Sequence, residues 1–210
     1  MNDTLTEEQK AKNIKSNKRT LYIILIVSIA PIALAYFSFF TGVGVPDSTS
    51  SYGRIINPAR NIEPLMASHN AEYYQQMLQD KKWHLFLPVG DTCNEACEQN
   101  LYVTRQVHIR LGEKSVRVDR TFVYLGESTL EETMQTLKQE HPLLKGIAVD
   151  KQAWRDFMKG VQQEVDPEVQ PYYVLVDQEG FAMMLYDEHV KGGDLLKDLK
   201  RALKHSIDYQ

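Results

Sequence analysis

The sequence predicts an α/β sandwich with a mixed central sheet, preceded by one transmembrane helix. Three observations carry that prediction. Leu21 to Phe40 is twenty residues without a charge. From Trp83 onward, apolar runs of strand length alternate with helix-length segments. Late in the chain, two apolar runs flank Gln178-Glu179-Gly180, a hairpin turn signal.

At about 1.5 Å per residue the uncharged block spans about 30 Å, the thickness of a bilayer core. Pro31 inside it kinks such a helix without excluding it. Lys10, Lys12, Lys15, Lys18 and Arg19 precede the block, whereas residues 41–59 carry only Arg54 as a positive charge. The positive-inside rule therefore places the N-terminus in the cytoplasm and the bulk of the chain across the membrane. A cleaved signal peptide competes, because Ala33-Leu34-Ala35 resembles a cleavage site. Cleavage there leaves the aromatic stub YFSFF, and the length of the block favours an anchor. The expected organisation is a cytoplasmic tail over residues 1–20, an anchor over 21–41, a linker over 42–70 and a globular domain over 71–210. The linker rests on the Gly, Pro, Ser and Asn content of its stretch. In a bacterium the domain is periplasmic and the membrane is the inner one, where a disulfide persists.

Within the domain, residues 71–80 read as a short helix and Trp83 to Val89 as a strand. A helix from Thr92 to about Leu111 follows, stopped by Gly112. Ser115 to Tyr124 is a strand. A helix from Thr129 to about His141 carries a capping box, Ser128 with Glu131, and ends before Pro142. Gly146 to Val149 is a strand and Lys151 to about Glu164 a helix. The hairpin strands are Tyr172 to Asp177 and Phe181 to Tyr186. Asp194 to about Ser206 closes the chain as a helix, with Leu195, Leu196, Leu199 and Leu203 on one stripe.

The 210 residues contain two cysteines, Cys93 and Cys97. Thr92 with Glu95 forms a capping box, which makes Cys93 the first helical residue and puts Cys97 one turn on. Residues four apart share a helix face about 6 Å apart, within the range a disulfide closes. The same spacing lets two thiolates grip one metal ion. A thiolate at a helix N-terminus is stabilised by free amides, so Cys93 is the expected nucleophile and Cys97 its resolving partner. Asp91, Glu95 and Glu98 oppose a further negative charge and suit a cationic guest; two soft thiolates suit Cu(I). A plain structural disulfide is the simpler alternative, but it closes a tiny loop and removes little unfolded-chain entropy.

Pro171 opens the strand PYYVLV; resemblance to thioredoxin-like domains implies a cis proline facing the cysteines here, with an ordinary trans proline at a strand start as the alternative. His108 lies on the cysteine face of its helix, but eleven residues beyond Cys97 places it about 16 Å away. His84 opens its strand at the end remote from the cysteines. His189 follows the hairpin's returning strand and is the histidine expected near Cys93. The net charge of −4 argues against nucleic acid as a partner. Asp150 and Asp166 read as caps or turn formers.

With these residues in view, the chain resembles the Sco/SenC family: a single N-terminal membrane helix, Cys93-x-x-x-Cys97 after a strand, and the late VLVDQEG hairpin. The resemblance extends over residues 50–210. The run CNEACEQNLYVTRQVHIRLGEKSVRVDRTFVYL looks like the small Sco-like proteins of proteobacterial cytochrome oxidase assembly. PYYVLVDQEG is similar to the cis-proline segment of TlpA-type thiol-disulfide reductases. The resemblance implies a thioredoxin-like fold and an assembly factor for a respiratory oxidase. That factor handles copper or exchanges disulfides at Cys93 and Cys97, with a respiratory oxidase subunit or another thiol or copper protein as partner. The alternatives are a general thiol-disulfide oxidoreductase and a non-catalytic scaffold. The family's copper-binding histidine falls near Val169, and residues 165–174 contain no histidine. The expected metal set is Cys93 and Cys97, with His189 or a methionine as the substitute third ligand.

Overall fold

A computed structural model describes residues 7–41, 51–66, 69–126, 130–161 and 166–206. It divides into two units, residues 1–49 and 50–210. In the first, the apolar block lies within α1 (Glu7–Thr41). Its segment Lys18–Thr41 contains an 18-residue window with a mean hydropathy of 2.4 and is long and apolar enough to cross a membrane. Two polar side chains in that segment turn back on their own helix. The Ser28 hydroxyl donates to the Ile24 carbonyl at 2.8 Å and Thr41 to the Phe37 carbonyl at 2.7 Å. Neither hydroxyl is left to cost the free energy of an unpaired group in hydrocarbon.

The second unit runs β1 (Arg54–Asn61), α2 (Glu63–Met66), α3 (Ala71–Asp80), β2 (Trp83–Val89) and α4 (Glu95–Arg110). A 3-10 segment (Gly112–Arg117) leads to β3 (Val118–Tyr124), α5 (Leu130–Lys138), β4 (Leu144–Ala148) and α6 (Lys151–Met158). β5 (Tyr172–Val176), β6 (Phe181–Asp187) and α7 (Gly192–His205) complete it. One six-stranded sheet has the order β1-β6-β5-β2-β3-β4. β2, β3 and β4 are parallel, whereas β5 runs antiparallel to β2, β6 to β5, and β1 to β6. This is the expected α/β sandwich with a mixed sheet.

Each face of the sheet has its own core. On one, Leu85, Leu87 and Phe122 pack with Leu101 and Val107 of α4, Met134 of α5, and Leu195, Leu199 and Leu203 of α7. On the other, Phe86, Val123 and Val174 pack with Met77 of α3 and Trp154 and Met158 of α6. Covered on both sides, β2 reads as an unbroken apolar run rather than an alternation. Each fully buried leucine of this kind stabilises the fold by roughly 1.5–3 kcal/mol.

The structure corrects the sequence reading at the front of the unit. Residues 54–61 fall in the stretch expected to be a linker, yet they form the edge strand β1. Arg54 pairs with Leu185 and Asn61 with Phe181, with an irregularity between Ile55 and Arg60. The buried Asp198 carboxylate of α7 holds the strand's entry by accepting from the Tyr52 and Gly53 amides at 2.8 and 2.9 Å. An edge strand with one buried residue, Ile56, shows no hydrophobic alternation, and it tolerates Pro58.

The hairpin and the final helix stand where the sequence put them. Asp177 Oδ1 accepts from the amides of Glu179 and Phe181 at 2.9 and 2.8 Å. Gly180, at φ +84°, takes the left-handed turn position. α6 is shorter than expected, ending at Met158, with Gly160 at φ +79° just beyond. Asp150 caps it by accepting from the Ala153 amide at 2.7 Å. Of the capping box expected ahead of α5, Ser128 lies outside the described residues.

Candidate functional site

β2 delivers the chain to a short loop, and α4 begins at Glu95 rather than at Cys93. The cap is Asn94, whose Oδ1 accepts from the Cys97 amide at 3.0 Å. Thr92, expected in that role, is engaged elsewhere. Its amide donates to Glu168 Oε1 at 2.9 Å, with its hydroxyl 3.5 Å from the same oxygen. Asn94 is an equal or better N-cap than threonine, so it takes the position once Thr92 is drawn away. Cys93 consequently lies in the loop before the helix, and Cys97 is the cysteine of the first turn. The helix amides expected to favour Cys93 therefore lie nearer Cys97.

The two cysteines are joined as a disulfide with Cα atoms 5.1 Å apart, inside the distance expected from their spacing. Their exposure differs. Cys93 is half-buried, whereas Cys97 is 7% exposed and packs into the core under α4. Attack from solvent therefore meets Cys93 first.

The segment before β5 forms the other wall. A turn closes as the amides of Val169 and Gln170 donate to the Asp166 carbonyl at 3.2 and 3.0 Å. Asn94 Nδ2 donates to the Glu168 carbonyl at 3.3 Å, so the turn is tied to the cysteine loop by both backbone and carboxylate. Gly90 makes room for this clasp: a Cβ there would fall 2.5 Å from the carboxyl carbon of Glu168. Pro171 and Cys97 line one small pocket of about 10 Å³ with Thr92, Asn94 and Glu168, about the volume of one water.

Pro171 thus faces the site as expected, but its peptide bond does not have the expected form. The cis bond among the described residues is Asn57–Pro58, and the bond before Pro171 is trans. Trans is favoured by about 0.5–1 kcal/mol in any X–Pro bond, and nothing in the turn before Pro171 overrides that preference.

His189 is exposed in the turn after β6, its amide donating to Asp187 Oδ1 at 3.0 Å. The loop from Asp187 to Gly192 borders a cleft of about 380 Å³ with Ala96, Gln99 and Asn100 of α4. The loop therefore reaches the cysteine-bearing helix as expected. Among the described residues, however, no group of three His, Cys, Asp or Glu side chains is placed to hold one metal ion. His189 does not join the two sulfurs in such a set. His108, also excluded by distance, places Nε2 2.8 Å from the Val118 carbonyl oxygen.

Asp91, Glu95 and Glu98 are exposed around the disulfide and Glu168 is half-buried beside it. The site is acidic, as the sequence indicated. Sequence reasoning missed Asn94 and Glu168. Asn94 was legible: a strong cap residue stands three positions before Cys97. Glu168 was not, because it lies 76 residues from Thr92 and nothing local marks it.

A family model described as "Transmembrane-like, thioredoxin-like, C-terminal domain" matches residues 83–206. Comparison with curated proteins finds no match. Among solved structures, yeast Sco1 with copper bound superposes with a TM-score of 0.52 at 14% identity, covering 65% of this chain and 86% of that one. Yeast Sco1 gives 0.51 at 14% identity, over 64% and 86%. Copper-bound ScoI of Arabidopsis thaliana gives 0.49 at 13% identity, over 63% and 89%. At such identities the likeness is one of fold, and the fold is thioredoxin-like.

Proposed function

The chain belongs to the transmembrane-like, thioredoxin-like family, and on that premise we propose that it is a membrane-anchored thiol-disulfide exchange protein serving respiratory oxidase assembly. The observation that carries the proposal is the unequal exposure of a bonded cysteine pair, half-buried Cys93 in a loop and buried Cys97 in the first turn of α4. In the reduced protein the Cys93 thiolate attacks a disulfide of the partner. A Cys93–partner bond forms, and the partner's other sulfur leaves and takes a proton. Cys97 then gives up its proton and its sulfur displaces the partner from Cys93. The internal disulfide reforms and the partner departs as a dithiol. Two electrons pass to the partner, and a dithiol reductant restores the starting state.

The clasp from Glu168 holds the loop at Cys93 while Asn94 fixes the helix at Cys97, so both sulfurs stay within bonding distance. Residues 1–20 are the cytoplasmic tail, residues 21–41 of α1 are the inner-membrane anchor, and the domain works in the periplasm. The basic residues ahead of the apolar segment support that orientation.

Copper handling is the second reading, favoured by the acidic surround of Asp91, Glu95, Glu98 and Glu168. Copper is then cargo. The reduced sulfurs supply two soft donors, and the incoming partner supplies the rest of the coordination. Full-length protein in detergent separates the two readings. Turnover of insulin disulfides with dithiothreitol, lost in Cys93→Ser, supports exchange. Stoichiometric Cu(I) binding by the reduced protein without insulin turnover replaces exchange with copper handling. Neither activity rejects both and leaves a scaffold.

A further inference from the structure

A second cleft, of about 420 Å³, opens between α4 and α5, away from Pro171. Its size is that of a small-ligand site. Its polar residues are arranged by sign. Glu95 and Glu98 stand at the start of α4, Tyr102 follows at 54% exposure, and Arg105 lies further along; Glu140 and His141 face them. Glu98 and Arg105 are seven residues apart, two turns or about 10 Å along the helix.

The inner end carries two guanidiniums, Arg105 and Arg120, that form no ion pair among the described residues, with the Glu140 carboxylate nearby. Behind Arg105, Arg120 of β3 is 3% exposed, and among the described residues its guanidinium donates to neutral acceptors only. It donates to the Leu101 carbonyl at 2.6 Å and to Thr104 Oγ1 at 3.0 and 3.1 Å. A buried guanidinium with no carboxylate is costly, and the neighbouring cleft is where an anionic group can approach it. Leu101 lines that cleft. His141 also lines it, 6% exposed, with Nδ1 buried and unpartnered. Burial first, and then Arg120 and Arg105, lower the pKa of His141, with Glu140 opposing the shift. The field at this end is thus one that an anion relieves. Three carboxylates, Glu95, Glu98 and Glu140, oppose a free dianion such as phosphate, so the anionic group must arrive with a cation of its own.

We infer that the α4–α5 cleft binds a short zwitterionic peptide, with its ammonium toward Glu98 and its carboxylate toward Arg105. An extended chain covers about 3.3–3.6 Å per residue, so three residues span the distance. Tyr102 offers an aromatic face to the middle side chain. This site lies beyond the exchange chemistry and stands whether or not Cys93 and Cys97 react.

The test is calorimetric titration of full-length protein in detergent with the tripeptide Gly-Phe-Gly, with the N-acetylated peptide and with the C-amidated peptide. Saturable binding of the free tripeptide is expected, weakened about tenfold or more by amidation or by Arg105→Gln. Amidation and Arg105→Gln together should weaken it no further, because both remove the same contact. Acetylation and Glu98→Gln should behave as the matching pair at the other end. Absence of saturable binding up to about 10 mM overturns the inference. So does equal affinity for the free and the doubly blocked peptide.

Discussion

The two ends of β2 carry reactive residue types in opposite circumstances. Past its carboxyl end, the chain presents Cys93 in a loop held by Glu168. Near its amino end, His84 is fully buried. Its Nδ1 lies 3.3 Å from the Tyr73 hydroxyl, which shares a 2.7 Å hydrogen bond with Thr121, and its Nε2 has no partner. Desolvation lowers the histidine from its ordinary 6.5 to about 4, with nearby Asp119 opposing the shift. One strand thus supports an accessible site at one end and a sealed polar pocket at the other. Residue type alone distinguishes neither; access does.

Predictions follow from that contrast, beginning with the largest effect. Cys93→Ser should reduce insulin-disulfide turnover to background, whereas His84→Leu should leave it within about twofold, since His84 touches no reacting atom. Equal loss in both variants would erase the distinction between the two ends.

Acid should reveal the sealed end next. Between pH 6.5 and about 4 the unfolded chain binds a proton at His84 that the folded chain does not. The stability tied to neutral His84 is therefore full above pH 6.5 and declines as pH falls toward 4. The decline approaches about 3 kcal/mol. Urea unfolding at several pH values measures it, and His84→Leu should flatten the curve across that window.

At the reactive end, Glu168→Ala removes the acceptor of the exposed Thr92 amide, which water can replace, and should destabilise the protein by about 0.5–1.5 kcal/mol. It should also speed alkylation of Cys93 in the reduced protein, while Glu168→Gln, which keeps an acceptor, should do less of both. Asn94→Ala should cost about 1 kcal/mol through loss of the α4 cap. Thermal melts order the two variants.

What the sequence made legible was mostly what the core demands. β2 shows itself because both faces are covered, and α7 because its leucines recur at helical spacing around a single stripe. β1 was illegible because an edge strand with one buried residue has no pattern to read. Its anchoring carboxylate, Asp198, comes from 145 and 146 residues away. The site divides in the same way. The cysteine pair was evident from its spacing after a strand. The choice of Asn94 over Thr92 as cap depended on Glu168, a contact far along the chain. The Pro171 bond follows the ordinary trans preference of X–Pro bonds rather than the expectation attached to its motif.

The central claim is that Cys93–Cys97 opens in the folded protein and that Cys93 is the sulfur met from outside. Native full-length protein in detergent, fully reduced with dithiothreitol, freed of reductant and pulsed with limiting iodoacetamide, tests it by peptide mass spectrometry. The account predicts opening without unfolding, with the first alkyl group on Cys93. A pair that opens only in denaturant, or that is alkylated first on Cys97, would contradict it.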